Sequence, residues 1–378
     1  MALRFLACVL LVSACDCGEE EPEVDASLGF DAEGFDVGPF DAGRPCVDAL
    51  PVDMLWVIDN SNSMAQEQEN LAVNFPVVIE TLTNPPDADG DGQPDFPPIT
   101  DLRVAVVTTD LGVGSNTGVI GCPSATGDDA VFVSEARGAG ECAGVNTGPM
   151  PWLQFDGTNA DEFNESFACL ARLGTEGCGL EQQLEASIRS FGDQAEPGMP
   201  NEGFFRSDSL IAVVYVTDED DCSASSDAIF SASPEARTEF GPYPRRCADN
   251  PDELHPISRY VSALRALSLD RRGDVVVAAI TGVPRDLTAD PTNVDFTELL
   301  ADPRMQFQDD PEDPDKLAPA CEFSGVGTAI PARRIVELVS GFSRGNDALL
   351  ASICEPDLSP TLSALANLVA SRLCEAPL

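Results

Sequence analysis

The sequence predicts an α/β protein with a doubly wound, mostly parallel, Rossmann-like sheet, and three observations lead to this prediction. Four short apolar runs have the length and composition of strands that are buried on both faces. Stretches with apolar residues at helical spacing lie between these runs. Polar, oxygen-bearing side chains follow two of the runs directly, where parallel sheets place their sites. The runs are residues 54–58, 103–108, 210–216 and 275–280.

The composition indicates a folded and strongly acidic protein. The chain has 378 residues, of which 43% are hydrophobic, enough to bury a sizeable core. Its formal net charge of -44 argues against a nucleic-acid partner, because phosphate binding requires clustered Lys and Arg. The same acidity favours the binding of cations.

The N-terminus is typical of an exported, lipid-anchored protein. Residues 1–14 combine Arg4 with a short apolar run, as in a secretory signal peptide. Small residues precede Cys15, and this resembles a bacterial lipobox, which implies a lipid on the Cys15 thiol. We therefore expect a cell-envelope location, on the periplasmic face or the outer surface, with the membrane contacted only through the anchor. Residues 15–50 are an acidic linker, and residues 51–378 form the domain.

Ten cysteines between Cys46 and Cys374 are expected to form disulfides, because exported proteins fold in an oxidising environment. Long insertions, closed by such bridges, interrupt the domain near residues 84–100, 110–156, 222–250 and 284–332. Connectivity does not follow from sequence alone. The short-range pairings that we expect are Cys122 with Cys142, Cys169 with Cys178, and Cys222 with Cys247.

Three oxygen-bearing residues alternate in the turn after the first strand. Asp59, Ser61 and Ser63 follow the apolar run, and apolar residues at helical spacing begin after Met64. One carboxylate and two hydroxyls are hard ligands, suited to Mg²⁺ or Ca²⁺. The alternative is a helix start in which a serine caps exposed amides.

This Asp-x-Ser-x-Ser motif between strand and helix resembles the metal-ion-dependent adhesion site of von Willebrand factor type A domains. The resemblance implies that Asp218, directly after the strand 210–216, is a second carboxylate ligand. It also implies a threonine in a loop before a helix; Thr175 matches, and Thr158 is the alternative. In that family a glycine usually follows the second aspartate. Here Glu219 and two aspartates follow, which leaves open which carboxylate faces the cation and whether a second cation binds.

The segments TDEDDC and GCGLEQ beside these loops are similar to those of cysteine-rich type A lipoproteins of myxobacteria and their relatives, which bears on location and not on activity. The resemblance to the type A adhesion site implies that one cation, Mg²⁺ or else Mn²⁺ or Ca²⁺, is held with a coordination position left open. A carboxylate from a protein partner would fill that position. The predicted function is therefore cation-dependent binding of a protein ligand, without catalysis. The site residues are Asp59, Ser61, Ser63, Thr175 and Asp218.

A second acidic loop lies between the first helix and the second strand. Its aspartates alternate around Gly92, and this resembles the calcium loops of EF-hands and thrombospondin type 3 repeats. Pro98 stands where an EF-hand has its bidentate glutamate, so a plain acidic turn is the alternative. A Ca²⁺ ion here would have a structural role. The candidate ligands are Asp87, Asp89, Asp91 and Asp95.

Two other functions compete with ligand binding. A calcium-stabilised structural envelope protein would need no specific ligand. A metal-dependent hydrolase would use carboxylates within residues 218–221. A Ser-His-Asp site would have to use His255, the single histidine, which precedes Pro256 far from any exposed Ser turn.

Overall fold

The central element is a six-stranded sheet. The computed structural model describes residues 50–87, 90–119, 121–122, 124–138, 140–268, 275–345 and 347–373. The strands in these residues are β1 (Val52–Ile58), β2 (Leu102–Thr108), β3 (Leu153–Phe155), β4 (Leu210–Val216), β5 (Val275–Thr281), β6 (Cys321–Phe323), β7 (Gly327–Ala329) and β8 (Ala348–Ser352). The order of strands in the central sheet is β3-β2-β1-β4-β5-β8.

Five of the six strands are parallel, and β1 lies at the centre. Val52 is in register with Leu102 of β2 on one side and with Leu210 of β4 on the other. The edge strand β3 runs antiparallel to β2. Strands β6 and β7 form a separate antiparallel hairpin. The predicted doubly wound, mostly parallel fold is confirmed.

Helices cover both faces of the sheet. The helices in the described residues are α1 (Ala65–Asn74), α2 (Pro76–Thr83), α3 (Ala160–Leu170), α4 (Gln183–Phe191), α5 (Pro234–Phe240), α6 (Arg246–Asp249), α7 (Ile257–Ala266), α8 (Phe296–Ala301), α9 (Arg333–Ser340) and α10 (Ser359–Leu373). Helices α1, α2, α3 and α10 pack on one face, and α4, α7, α8 and α9 pack on the other.

Because helices cover both faces of the sheet, the side chains of β1 form an unbroken apolar run. Trp56 points into the first core, where its ring contacts Phe75 and Phe167 at centroid distances of 5.1 and 5.3 Å. Leu55 and Val57 belong to the core on the opposite face. Successive side chains of a strand alternate between faces, so both sets must be apolar.

Two local features differ from the prediction. Strand β8 was not predicted, because a run of five residues is too short to be told from a helix segment by its pattern. The helix after β1 is divided at Phe75, where Pro76 begins α2 and lacks the N–H that would continue α1.

The disulfides correct two of the expected pairings. Cys222 does pair with Cys247, as predicted. The pairings of Cys122 with Cys142 and of Cys169 with Cys178 were wrong, because the loop before α4 folds back onto the 110–122 loop and α3 packs against residues 140–142. The four bridges among the described residues are Cys122–Cys178, Cys142–Cys169, Cys222–Cys247 and Cys321–Cys354.

Several predictions concern parts of the chain outside the described residues. These are the signal peptide 1–14, the lipidated Cys15, the linker up to residue 49, and the cysteines Cys46 and Cys374. Within the described part of the chain, none of the helices combines the length and the apolar character needed to cross a bilayer.

Candidate metal centre

Four of the five predicted ligands lie together where the sheet changes winding direction: Asp59, Ser61, Ser63 and Asp218. From β1 the chain proceeds to β2 on one side, whereas β4, β5 and β8 extend the sheet on the other. The loops after β1 and β4 therefore open a crevice at the carboxyl edge, the position at which α/β folds bind ligands. Asp59 follows β1 and Asp218 lies two residues beyond β4.

Hydrogen bonds within the sheet orient the Asp59 carboxylate. Its backbone N–H donates to the Val216 carbonyl at 2.9 Å, which continues the pairing of β1 with β4. One carboxylate oxygen accepts from the Ser61 amide at 2.8 Å. The other accepts from the Thr217 hydroxyl at 2.6 Å, and that hydroxyl accepts from Gln183 of α4 at 2.9 Å. Asp59 is fully buried and rigidly placed.

Three further oxygens converge beside Asp59. The hydroxyl oxygens of Ser61 and Ser63 are 2.9 Å apart. The Ser63 hydroxyl lies 3.2 Å from a carboxylate oxygen of Asp218. Ser61 and Asp218 are buried, whereas Ser63 is exposed, so the group is accessible from one side.

The spacing of these oxygens fits a hard divalent cation. Magnesium binds oxygens at about 2.1 Å in octahedral geometry, which puts neighbouring ligands about 3.0 Å apart. The separations of 2.9 and 3.2 Å, which are hydrogen bonds in this structure, are of this size. A donor set of carboxylate and hydroxyl oxygens, without thiol or imidazole, also suits Mg²⁺, Mn²⁺ or Ca²⁺.

Thr175 lies in a loop that packs directly on the loop after β1. Gln68 of α1 connects the two loops, donating to the carbonyls of Asp59 and Gly174 at 2.9 and 2.8 Å. The Gly177 amide donates to the Asn60 carbonyl at 2.8 Å. These contacts, on either side of Thr175, hold its loop against the loop that carries the two serines.

Thr158, the alternative to Thr175, lies at the opposite edge of the sheet. It follows the antiparallel strand β3, whose last residue, Phe155, pairs with the first residue of β2. Its hydroxyl donates to Asp156 at 2.6 Å. The sheet topology therefore separates Thr158 from Asp59 by the length of a strand.

The acidic run after β4 is divided between two structural roles. Asp218 faces Ser63. Asp221 instead forms an ion pair with Arg334 of α9 at 3.0 Å and accepts from the Leu184 amide at the start of α4. Asp220 accepts from the Arg334 amide at 2.9 Å. Of these three aspartates, only Asp218 is directed toward the serines.

Buried carboxylates crowd this edge of the sheet. Burial raises the pKa of Asp59, and burial together with Asp59 and Glu219 raises the pKa of Asp218 well above its usual range. Burial and then Asp59 raise the pKa of Glu219 to about 7. Glu181 has its pKa raised well above the usual range, first by burial and then by Glu219. Such mutual repulsion makes this edge a favourable place for positive charge.

Unsatisfied polar atoms point to the same chemistry. Within the described residues, one oxygen of Glu181 and the side-chain oxygen of Asn60 are buried without a hydrogen-bond partner. Buried oxygens of this kind normally have a partner, which can be an ion. Among the described residues, no group of three or more His, Cys, Asp or Glu side chains is arranged to hold a metal ion.

Sequence analysis missed the residues that support the site. Gln68 and Thr217 contact Asp59 directly, and Glu181 acts on it electrostatically. Thr217 could have been proposed from its position between strand and Asp218. Gln68 and Glu181 have no signal in the sequence, because their roles depend on how α1 and the 174–182 loop pack.

The possible calcium loop lies at the amino edge of the sheet, away from Asp59, on the approach to β2. The Gly92 amide donates to Asp87 at 3.0 Å, and the Gln93 amide donates to Asp91 at 2.7 Å. Asp89 lies outside the described residues. Asp95 is held by its amide, which donates to the Pro86 carbonyl at 2.8 Å.

Comparison with known proteins gives little further information. No protein-family model and no curated protein matches the chain. The structure is similar to the human COPII-coat protein Sec24c, with 11% identity and a TM-score of 0.29, covering 69% of this chain and 29% of that chain. It is similar to the adhesive tip pilin GBS104 from Group B Streptococcus agalactiae, with 15% identity and a TM-score of 0.20, covering 50% and 51%. Both TM-scores are below 0.5, and this chain spans less than two thirds of either protein.

Proposed function

We propose that this protein binds a protein partner through a divalent cation held by Asp59, Ser61, Ser63 and Asp218, with Thr175 completing the site. The observation that carries the proposal is the spacing of the Ser61, Ser63 and Asp218 oxygens, 2.9 and 3.2 Å. Mg²⁺ is the first candidate because of its octahedral geometry, and Mn²⁺ or Ca²⁺ would use the same oxygens.

An incomplete coordination shell would make this cation a binding group. Mg²⁺ requires six oxygens, and these residues supply fewer from the buried side. Ser63 is exposed, so the remaining positions face solvent. A carboxylate of the partner would fill one of them, and the cation would offset the repulsion between two acidic surfaces. The resemblance to type A adhesion sites supports this interpretation. The proposed function, ligand binding through the cation, includes no catalytic step.

The proposal also places the domain in the bacterial cell envelope. The signal-like residues 1–14 and the lipobox cysteine, Cys15, support an acyl anchor, and the acidic segment 15–50 would be a spacer. Changing Cys15 to Ser should release the protein from the membrane fraction. Retention of that variant with lipid would contradict the anchor.

The cation site is tested with Asp59→Ala. Removing this carboxylate should weaken Mg²⁺ or Mn²⁺ binding at least about 100-fold, since even supporting residues of metal sites contribute 10–100-fold. Isothermal titration of the purified domain measures the affinity, and circular dichroism checks the fold. The matched control is Asp252→Ala, which removes the charge of an exposed aspartate.

Binding of a carboxylate partner is tested on the same proteins. Envelope proteins captured by the wild-type domain with Mg²⁺ present should be lost with a chelator and with Asp59→Ala, and should be retained by Asp252→Ala. A captured protein whose acidic side chains are then neutralised should no longer bind. Cation binding that Asp59→Ala leaves unchanged would overturn the proposed function.

A further inference from the structure

Glu67 is a buried carboxylate one helical turn beyond Ser63, and it is not one of the proposed cation ligands. Its side chain is in the first turn of α1, and the residue is 2% exposed. One carboxylate oxygen accepts from the Thr328 amide at 3.2 Å. The other is buried and has no hydrogen-bond partner within the described residues. A buried charge in this state is costly unless positive charge lies nearby.

A segment that crosses the carboxyl edge fixes Glu67 beside Asp218. We call residues 327–332 the strap. The Thr328 amide donates to Glu67, the Ile330 amide donates to the Asp218 carbonyl at 3.0 Å, and the Ala332 amide donates to the Gly282 carbonyl at 3.1 Å. The first two amides are two residues apart, at most about 7 Å along the chain. The strap thus joins α1 to the ends of β4 and β5.

Close packing at Gly327 determines where the Glu67 carboxylate lies. A Cβ atom at Gly327 would stand 1.5 Å from a Glu67 oxygen, and the backbone there has φ of +154°. Any side chain at this position would push the carboxylate away. The glycine therefore permits an approach that no other residue allows.

The carboxylates of Glu67, Asp59 and Asp218 act on one another. After burial and its backbone hydrogen bonds, Asp59 raises the pKa of Glu67. Glu67 contributes to the raised pKa of Asp218, after burial and two other carboxylates. Three negative groups are therefore within electrostatic range of the position between Ser63 and Asp218.

We propose that Glu67 is a positioning residue of the cation site, which supplies a third negative charge from outside the coordination shell and is held there by the strap. This inference rests on the proposed function. The Glu67 charge attracts the cation without ligating it. Cation binding in turn relieves the repulsion among the three carboxylates, so Glu67 raises affinity and destabilises the cation-free protein.

The test compares Glu67→Gln with Glu69→Gln, which removes an exposed carboxylate from the same helix. We expect Glu67→Gln to weaken Mg²⁺ binding about tenfold in isothermal titration, the scale of one charge acting through partly buried surroundings. The melting temperature of the chelator-treated variant should stay unchanged or rise. Glu69→Gln should change neither quantity.

A second variant moves the charge without removing it. Gly327→Ala should displace the Glu67 carboxylate and weaken Mg²⁺ binding, although residue 327 is not a ligand. Equal affinities for Glu67→Gln and Glu69→Gln would overturn the proposal, as would a Glu67→Gln variant that loses affinity and cation-free stability together. If Glu67→Gln does not fold, unchanged affinity in Gly327→Ala overturns it. If Asp59→Ala binds Mg²⁺ as well as the wild type does, the proposed function itself is rejected.

Discussion

At the residue scale, single side chains fix the loops on which the site depends. Asp59 and Asp53 belong to the same strand region, and both are buried carboxylates, but their surroundings differ. Asp53 is paired with Arg206, whose guanidinium and amide both donate to it. Asp59 is held by a serine amide and a threonine hydroxyl, without a cationic side chain in those contacts. One carboxylate is neutralised by the fold, and the other is available for an ion.

The Arg206 pair allows a direct test of this difference. Arg206 contacts Asp53 at 2.7 Å, and their side chains are 15% and 0% exposed. Changing Arg206 to Ala leaves Asp53 buried and unpaired, which should cost about 3 kcal/mol of unfolding free energy. Urea denaturation measures the loss.

Arg237→Ala is the matched control for Arg206→Ala. Arg237 forms its ion pair with Asp315 at 2.8 Å, but both side chains are about 60% exposed. Its loss should change stability by less than about 0.5 kcal/mol. If both substitutions lower the unfolding free energy by the same amount, then Asp53 does not need the Arg206 charge to remain buried.

At the scale of elements, the disulfide Cys321–Cys354 connects the β6–β7 hairpin to the end of β8. The strap begins in this hairpin, so the bridge also limits its movement. Replacing both cysteines by serine removes the closure of a 33-residue segment and should cost about 3.5 kcal/mol. Because the strap holds Glu67, Mg²⁺ affinity should fall as well. Chemical denaturation and titration measure the two effects separately.

The bridge Cys142–Cys169 gives a matched comparison. It closes a 27-residue segment, so serine substitutions there should lower stability by a similar amount. That bridge joins α3 to another insertion. Loss of cation affinity in both double variants would show that general loosening, and not the strap, is responsible.

The elements also show how far sequence reasoning reached. Long apolar runs identify β1, β2, β4 and β5, because strands buried on both faces leave an unambiguous pattern. The run in β8 has five residues, too few to be told from a helix segment by pattern, so its pairing with β5 is decided by tertiary contacts. Cysteine pairing failed for the same reason: the partner of Cys122 depends on how two distant loops pack.

For the candidate site, motif spacing was enough to predict what is local. Asp59, Ser61 and Ser63 lie within one turn, and Asp218 follows a strand that adjoins β1. The supporting groups Gln68, Glu67 and Glu181 could not be predicted, since they reach the site only through helix and loop packing. The position of Thr158 at the opposite edge follows from the antiparallel direction of β3, which the sequence does not encode locally.

At the scale of the whole molecule, the net charge of -44 complicates every measurement of cation binding. Sixty-five acidic residues against 21 basic ones repel one another in the compact state. Any salt screens this repulsion, because the Debye length falls from about 30 Å at 0.01 M to about 10 Å at 0.1 M. A rise in melting temperature with Mg²⁺ alone would therefore not identify a specific site.

Comparing two salts in two proteins separates screening from binding. Raising NaCl should stabilise wild type and Asp59→Ala equally, since the variant changes one charge among many. Adding Mg²⁺ at constant ionic strength should stabilise wild type more, by about 2.7 kcal/mol at a concentration 100 times Kd. Calorimetry at matched ionic strength measures the difference. If Mg²⁺ raises the stability of both proteins by the same amount, its effect is diffuse screening of the acidic surface and the carboxyl edge of the sheet holds no specific cation.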